Sequence, residues 1–316
     1  MWISDRWTDY EVLECSGGEK LERWGSYLLV RPDPQVIWDS PRTHAGWNHN
    51  NGVYHRSDKG GGNWELHDLP QEWDITWTPV PGAVTGSANG DPQLVFRLKP
   101  FQFKHTGLFP EQAANWDWFM PIIAREAARR EENDPVRVLN LFAYTGGATV
   151  AAAAAGAHVT HVDAAKGMVG WAKENFAVSG LAERPARFLV DDCVKFVQRE
   201  IRRGKTYDAV ILDPPSYGRG PGGEVWKLED AIYGLLTLLK DVVSDRPLFF
   251  LLNSYTTGLQ PLVMKDLMAL TLASGRNGTI EADELALPVT GTAENDPAPQ
   301  NIALPCGASA RWCGEG

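Results

Sequence analysis

The chain is poor in cysteine, in positive charge and in long apolar runs, and each shortage removes a class of function. Its four cysteines, Cys15, Cys193, Cys306 and Cys313, are scattered and form no C-x-x-C pair. Such spacing indicates neither a zinc site nor a disulfide framework, so no metal is expected and a reducing cytoplasm is the expected compartment. No apolar run approaches the roughly 20 residues needed to span a bilayer. The opening Met1-Trp-Ile-Ser-Asp-Arg6 lacks the basic-then-apolar order of a secretory signal. No membrane partner is expected. With 40 acidic against 30 basic side chains the formal net charge is −10, which argues against coating nucleic acid through bulk electrostatics. Local basic faces remain open. Arg125, Arg129 and Arg130 cluster, as do Arg199, Arg202, Arg203 and Lys205. Both clusters read as solvated helix faces.

What is present suits a globular chain. The 316 residues are 43% hydrophobic and 22% charged, enough for two domains. Residues 1 to about 100 hold most of the 13 tryptophans, including Trp24, Trp73 and Trp77, together with turn clusters such as Asn48 to Gly52. Short runs such as Tyr27 to Val30 and Leu94 to Leu98 read as strands between turns. A small, mostly β domain over 1–100 follows. Its tryptophans could stack on bases. They are not interleaved with Lys or Arg, so they read instead as core filling.

From about residue 100 the pattern becomes strand, helix, strand, helix. A helix is expected over Pro110 to Arg130, kinked or split at Pro121. Strands are expected at 136–141, 158–162, 187–190, 208–212 and 247–252. Helices are expected at 147–156, 165–179, 193–203, 228–244 and near 260–273. Two weaker strands close the chain, and Pro288 to Pro299 reads as a long surface loop. Alternation of this kind predicts an α/β fold over 101–316, a doubly wound, mostly parallel sheet with helices on both faces. No internal repeat is evident.

In such a sheet ligands sit at the carboxyl ends of the strands. The first strand end delivers Asn140-Leu-Phe-Ala-Tyr-Thr-Gly-Gly147 and the second delivers Asp163 with Ala164. The third delivers Asp191-Asp192-Cys193, the fourth Asp213-Pro214-Pro215-Ser216, and the fifth Asn253-Ser254-Tyr255. The first loop is not G-x-G-x-x-G, so it lacks the close backbone approach that a pyrophosphate needs. Neither is a Tyr-Lys or His pair for hydride chemistry evident, which disfavours a nicotinamide enzyme. Asp163 can accept from both ribose hydroxyls, and Asp192 from an exocyclic amine such as adenine carries. Together these strand ends suit an adenosine without phosphates.

Those motifs resemble the class I S-adenosylmethionine-dependent methyltransferases, and more narrowly the branch that methylates large-subunit ribosomal RNA. In that branch a strand runs into F-x-Y-T-G-G, and an upstream K-T-G-x-F-x-D-Q segment precedes the core. Here that segment is His105-Thr-Gly-Leu-Phe-Pro-Glu-Gln112, with His105 in place of Lys and Glu111 in place of Asp. The likeness covers about residues 100 to 275. It implies a Rossmann-like methyltransferase sheet, S-adenosyl-L-methionine as cofactor and RNA as partner. It implies that Phe109 and Gln112 lie near the cofactor, with Gly146, Asp163 and Asp192 on it. His105, Thr106, Glu111, Phe142, Ala143, Tyr144, Thr145, Ala164, Asp191, Cys193 and Asp213 complete the expected cofactor set.

Methyl transfer from a sulfonium is an in-line displacement, so the protein mainly aligns the nucleophile and excludes water. Asp213, Pro214, Pro215, Ser216 and Tyr217 are the expected catalytic segment. Ser216 cannot stack on a base, but Tyr217 could. Gly218, Gly220, Gly222 and Gly223 suggest a mobile flap. Related 5-methylcytosine enzymes attack C6 with a cysteine after the fifth strand or beside the Pro-Pro turn. This chain has Asn253-Ser254-Tyr255 and Ser216 there, and Cys193 should face the cofactor. N-methylation of a nucleobase, or of another amine, is therefore expected. A non-catalytic RNA-binding or assembly factor, and an enzyme acting on a protein or small molecule, remain open.

Overall fold

The computed structural model describes residues 1–57, 61–85, 93–101, 104–219, 225–291 and 302–315. The first stretch is built of short strands: β1 (Trp2–Ile3), β2 (Tyr10–Ser16), β3 (Glu19–Trp24), β4 (Tyr27–Pro32), β5 (Gly52–Arg56), β6 (Gly62–Leu66), β7 (Trp73–Trp77) and β8 (Leu94–Leu98). A 3₁₀ turn (Pro110–Gln112) then leads into α1 (Ala113–Ala127), and alternation begins. It runs β9 (Arg137–Leu141), α2 (Gly147–Ala154), β10 (His158–Asp163), α3 (Lys166–Val178), β11 (Ala186–Val190), α4 (Cys193–Arg202) and β12 (Ala209–Leu212). A hairpin of β13 (Tyr217–Arg219) and β14 (Val225–Lys227) precedes α5 (Leu228–Leu239), β15 (Phe249–Ser254), α6 (Pro261–Leu270), β16 (Gly278–Val289) and β17 (Ile302–Gly314).

Thirteen of the strands form one sheet in the order β11-β10-β9-β12-β15-β17-β16-β2-β3-β4-β5-β6, with β1 pairing β16, while β7 pairs with β8 and β13 with β14 in separate two-stranded sheets. β9, β10, β11, β12 and β15 are mutually parallel, and β17 enters antiparallel between β15 and β16. The doubly wound α/β reading holds, with the antiparallel strands of the N-terminal stretch added at one side. Strand alternation explains the two helical layers. Val138, Ile211 and Leu251 face the layer of α1, α2 and α3, while Leu139, Val210 and Leu252 face α4, α5 and α6. Strands buried on both faces read as continuous apolar runs, and each large side chain so buried stabilises by about 1.5–3 kcal/mol.

Three expectations need correction. Pro121 sits inside an unbroken α1, because before it Phe119 stacks on Phe249, Trp118 meets the same ring edge-on and Met120 is fully buried, and after it Ile123 is fully buried. Packing outweighs the lost N–H there. The two C-terminal strands are not weak. β16 and β17 run for 12 and 13 residues and pair along their length. Pro288 and Val289 accordingly belong to β16, opposite Ala303 and Ile302. Residues 292–299 of the expected loop lie outside the described residues.

The tryptophans of the first stretch are buried or half-buried, and none is exposed. Trp24, Trp73 and Trp77 join Trp116 of α1 in the main core. The two arginine clusters are largely solvated, apart from Arg130, which pairs with Glu126 and Asp208, and Arg199, which pairs with Asp191. Among the described residues no helix is long and apolar enough to cross a membrane.

Candidate functional site

The strand order reverses between β9 and β12, and a crevice opens there at the carboxyl ends of the parallel strands. It holds a cleft of about 380 Å³ bordered by the ends of β9, β10, β12 and β15, by the start of α4 and by the hairpin. A narrower pocket of about 50 Å³ shares Phe109, Phe142, Tyr144 and Asp213 with it and reaches Gln112, Ala143, Thr145 and Asn253.

The loop after β9 has an unusual backbone. Phe142 (φ 55°), Tyr144 (φ 49°) and Gly146 (φ 83°) are all left-handed. Each left-handed non-glycine residue costs about 1–2 kcal/mol. The loop is held by Ala143 N–H donating to the Val162 carbonyl (3.2 Å) and Gly146 N–H to the Ala143 carbonyl (3.0 Å). Gly146 must be glycine for two reasons: its φ, and the 2.9 Å that a Cβ would leave to Ala172 Cβ of α3. Beneath the loop, Asn140 Nδ2 donates to Thr149 Oγ1, which lies 2.9 Å from His161 Nδ1. Burial pushes His161 down to about 3, so this contact is neutral.

Asp163 closes β10 and ties the two loops together. Its Oδ2 accepts from Tyr144 N–H at 2.9 Å and its Oδ1 from Ala165 N–H at 2.8 Å. Burial raises its pKa, and these two bonds oppose the rise. Each oxygen keeps a further lone pair for a ribose hydroxyl. Asp192 borders the cleft and caps α4 by accepting from Lys195 N–H at 2.8 Å. Cys193 also borders the cleft, but it is 4% exposed and burial pushes its thiol well up. Asp191 is absent from the lining and pairs with Arg199 instead.

The upstream segment packs behind the loop. His105 and Phe109 line the cleft, and Phe109 lies 5.6 Å from Tyr144 and 5.4 Å from Tyr255 between ring centres. Burial, with Arg31, Lys104 and Lys20 nearby, lowers His105 to about 4, so it is neutral at physiological pH. Thr106 is fully buried off the cleft. Gly107 (φ 99°) lies against the Trp171 ring, which a Cβ would meet at 2.1 Å. Gln112 donates from Nε2 to Tyr255 Oη (2.7 Å) and accepts at Oε1 from Asn115 (2.8 Å) and Asn253 (3.1 Å). Arg311 holds Asn115 Oδ1 from behind, at 2.6 and 2.9 Å. Glu111 is buried beside Tyr255, outside the cleft lining, and burial raises its pKa.

At the fourth strand end Asp213, Pro214, Pro215 and Ser216 all line the cleft. Burial, then the nearby Glu111, push Asp213 up from 3.8 to about 7. Ser216 Oγ lies 2.6 Å from Thr256 Oγ1. Tyr217, by contrast, is 53% exposed, pairs with Lys227 across the hairpin and stays off the cleft lining. Gly218 lines the cleft; Gly220, Gly222 and Gly223 of the expected flap lie outside the described residues. Sequence reasoning missed Met168 and Trp226 as lining residues, and gave Tyr255, named at the fifth strand end, no role in the site. Met168 in the first turn of α3 could have been found by counting onward from Asp163. Trp226 had only its place before a helix as a signal.

A parallel sheet reversing at a glycine loop, with an acid after the second strand and Asp-Pro-Pro after the fourth, defines a nucleoside-cofactor enzyme of the methyltransferase kind. The chain belongs to the S-adenosylmethionine-dependent methyltransferases. The model of that family matches residues 89–240. The crystal structure of the SAM-dependent methyltransferase from Agrobacterium tumefaciens is similar at 33% identity and a TM-score of 0.83, covering 98% of this chain and 91% of its own. The structure of SMU.776 complexed with SAH shares the fold, at 18% identity and a TM-score of 0.67, over 97% of this chain and 76% of its own. Among curated proteins, the ribosomal RNA large subunit methyltransferase K/L of Shewanella baltica is 43% identical over 82 residues. That match covers 26% of this chain and only 11% of the relative. The residues around the cleft are compatible with S-adenosylmethionine: Asp163 and Asp192 present carboxylates to a cleft of about 380 Å³.

Proposed function

We propose that the protein methylates a nitrogen of a nucleobase in RNA, ribosomal RNA being the first candidate, without a cysteine nucleophile. S-adenosylmethionine, when bound, supplies an electrophilic methyl group. On this reading Asp163 takes the ribose hydroxyls, Asp192 the adenine amine, and the loop 142–146 wraps the donor between them. Asp213 would accept from the acceptor's N–H and take the proton that the nitrogen loses on gaining the methyl group, the C–S bond pair staying with the donor's sulfur as a neutral thioether. The observation that carries the reading is Asp213 itself, a carboxyl held near neutrality at the cleft beside two prolines, with no ionised thiol to compete. A general base works best when its pKa lies near the working pH.

Basic side chains adjacent in sequence to the lining favour a polyanionic acceptor despite the net charge: Lys166, Lys195 and Lys227 directly follow the lining residues Ala165, Val194 and Trp226. Lys166, Lys195 and Lys227 are exposed. The names of the curated relatives agree with this direction, although the shared segment is short. Residues 1–100 are proposed to address the acceptor, and 101–316 to hold the donor and the chemistry. The test is incubation with tritiated S-adenosylmethionine and unmodified ribosomal RNA, followed by digestion to nucleosides. Label is expected in an N-methylated base. Label in 5-methylcytidine, or none in any RNA, would refute the reading.

A further inference from the structure

We propose that Trp226 is the aromatic wall against which the planar ring of the methyl acceptor is held. The inference rests on the base-methylation reading above and adds the group that selects the acceptor. The Asp213 turn has no aromatic side chain of its own on the cleft: its fourth residue is Ser216, and Tyr217 is exposed off the cleft lining. The hairpin supplies one instead. Trp226 lies opposite Gly218 in the hairpin register and lines the cleft half-buried.

Two contacts fix the indole at the reacting end. Its Nε1–H donates to the Pro215 carbonyl at 2.7 Å. Its ring centre lies 5.1 Å from that of Phe142, tilted by 47°. The indole is thus anchored to the turn that begins at Asp213, two residues from the carboxyl that would receive the acceptor's N–H. The adenosine acids Asp163 and Asp192 stand at other strand ends, on β10 and at the start of α4. A ring that presents a nitrogen to Asp213 therefore comes within reach of Trp226. Such stacking is tolerant of which base is stacked, so Trp226 would select for a flat ring, with Asp213 choosing the atom.

The test uses the full chain with saturating S-adenosylhomocysteine and free guanosine, adenosine, cytidine and uridine as probes. Binding is followed by saturation-transfer NMR of the ring protons. In the wild type at least one nucleoside ring is expected to take up saturation. Trp226→Leu, which keeps an apolar side chain, should weaken that binding by about 5- to 150-fold, the span of a lost base–aromatic stack. Trp226→Phe should restore most of it. Both variants should bind S-adenosylhomocysteine within about threefold of the wild type by calorimetry. Unchanged nucleoside binding in Trp226→Leu overturns the proposal. So does an equal loss of S-adenosylhomocysteine affinity, which would assign the indole to the donor, and so does a wild type that binds no nucleoside ring. The tritium assay reports on the other reading separately. Trp226-dependent ring binding without label in RNA sinks the RNA assignment alone, whereas labelled RNA with an unchanged KM in Trp226→Leu sinks the wall alone.

Discussion

Replacing Asp213 with Asn should make the protein more stable at pH 8 while removing its activity. The carboxyl rises from 3.8 to about 7 on folding, chiefly through burial and then through Glu111. At about 1.36 kcal/mol per pKa unit, a rise of about 3 units sets a ceiling of about 4 kcal/mol. Asp213 is half-buried, and solvent screening brings the expected gain to about 1–3 kcal/mol. The sign follows from the direction. Because the folded-state pKa is raised, the stability associated with the protonated carboxyl is complete below about pH 4 and is lost as pH rises through about 7. Asn does not ionise and loses nothing over that window. Unfolding entropy of about 2.1 cal/mol/K per residue over 316 residues converts the gain to about 2–5 °C in Tm. Thermal melts of both proteins without cofactor, from pH 4.5 to 8.5, read it directly. The difference should be smallest at the acid end, grow between about pH 4 and 7 and level off above about pH 7. A difference that is constant with pH, or a less stable Asn variant at pH 8, would refute the account of Asp213 as a buried carboxyl placed there for function.

Other outcomes follow from the same geometry. kcat/KM should rise with pH through about 7 and then flatten, because Asp213 must be ionised to accept a proton; a profile flat from pH 6 to 9 would point to an acceptor nitrogen that carries none. Asp163→Asn turns a carboxylate that accepts two backbone N–H bonds into an amide, so calorimetry should show S-adenosylhomocysteine binding at least tenfold weaker, with a loss of about 1–3 kcal/mol in stability; a change under threefold contradicts its role. Cys193→Ala should leave turnover within about threefold, since the thiol is buried and un-ionised; a hundredfold loss would bring thiol chemistry back.

The sheet was legible because strict local rules govern it: strands buried on both faces read as apolar runs. The acids at the strand ends drew attention to the crevice, and Asp163, Asp192 and Asp213 do line the cleft. Phe142 and Tyr144 stand at the cleft as their place after β9 led one to expect, but their left-handed backbone was hidden, because nothing in the residue types Phe and Tyr signals a positive φ. Asp191 and Asp192 look alike in the chain. Only the Arg199 pairing and the α4 cap separate the one that faces away from the one at the cleft. Tyr217 and Trp226 were hard to place for a related reason: alternation in the β13–β14 pair decides which side chain faces the cleft, and that register is not written in the residue types. The length of β16 and β17 was equally hidden, since it depends on a partner strand distant in sequence.

The N-terminal strands do more than extend the sheet. Ser4 Oγ and Trp7 Nε1 both donate to the Pro110 carbonyl, at 2.8 and 2.9 Å, at the turn that presents Glu111 and Gln112. Trp7 and Trp77 then meet Trp116 of α1, with ring centres 6.1 and 5.4 Å away, and Trp116 lies against Gly147 at the head of α2. Arg31 reaches the other end of the same segment, donating to the Lys104 carbonyl at 2.8 Å. Residues 104–112 are therefore clamped between the N-terminal strands and the donor loop. The N-terminal strands thus hold in place the segment that brings Phe109 to the cleft and Gln112 to the narrower pocket beside it.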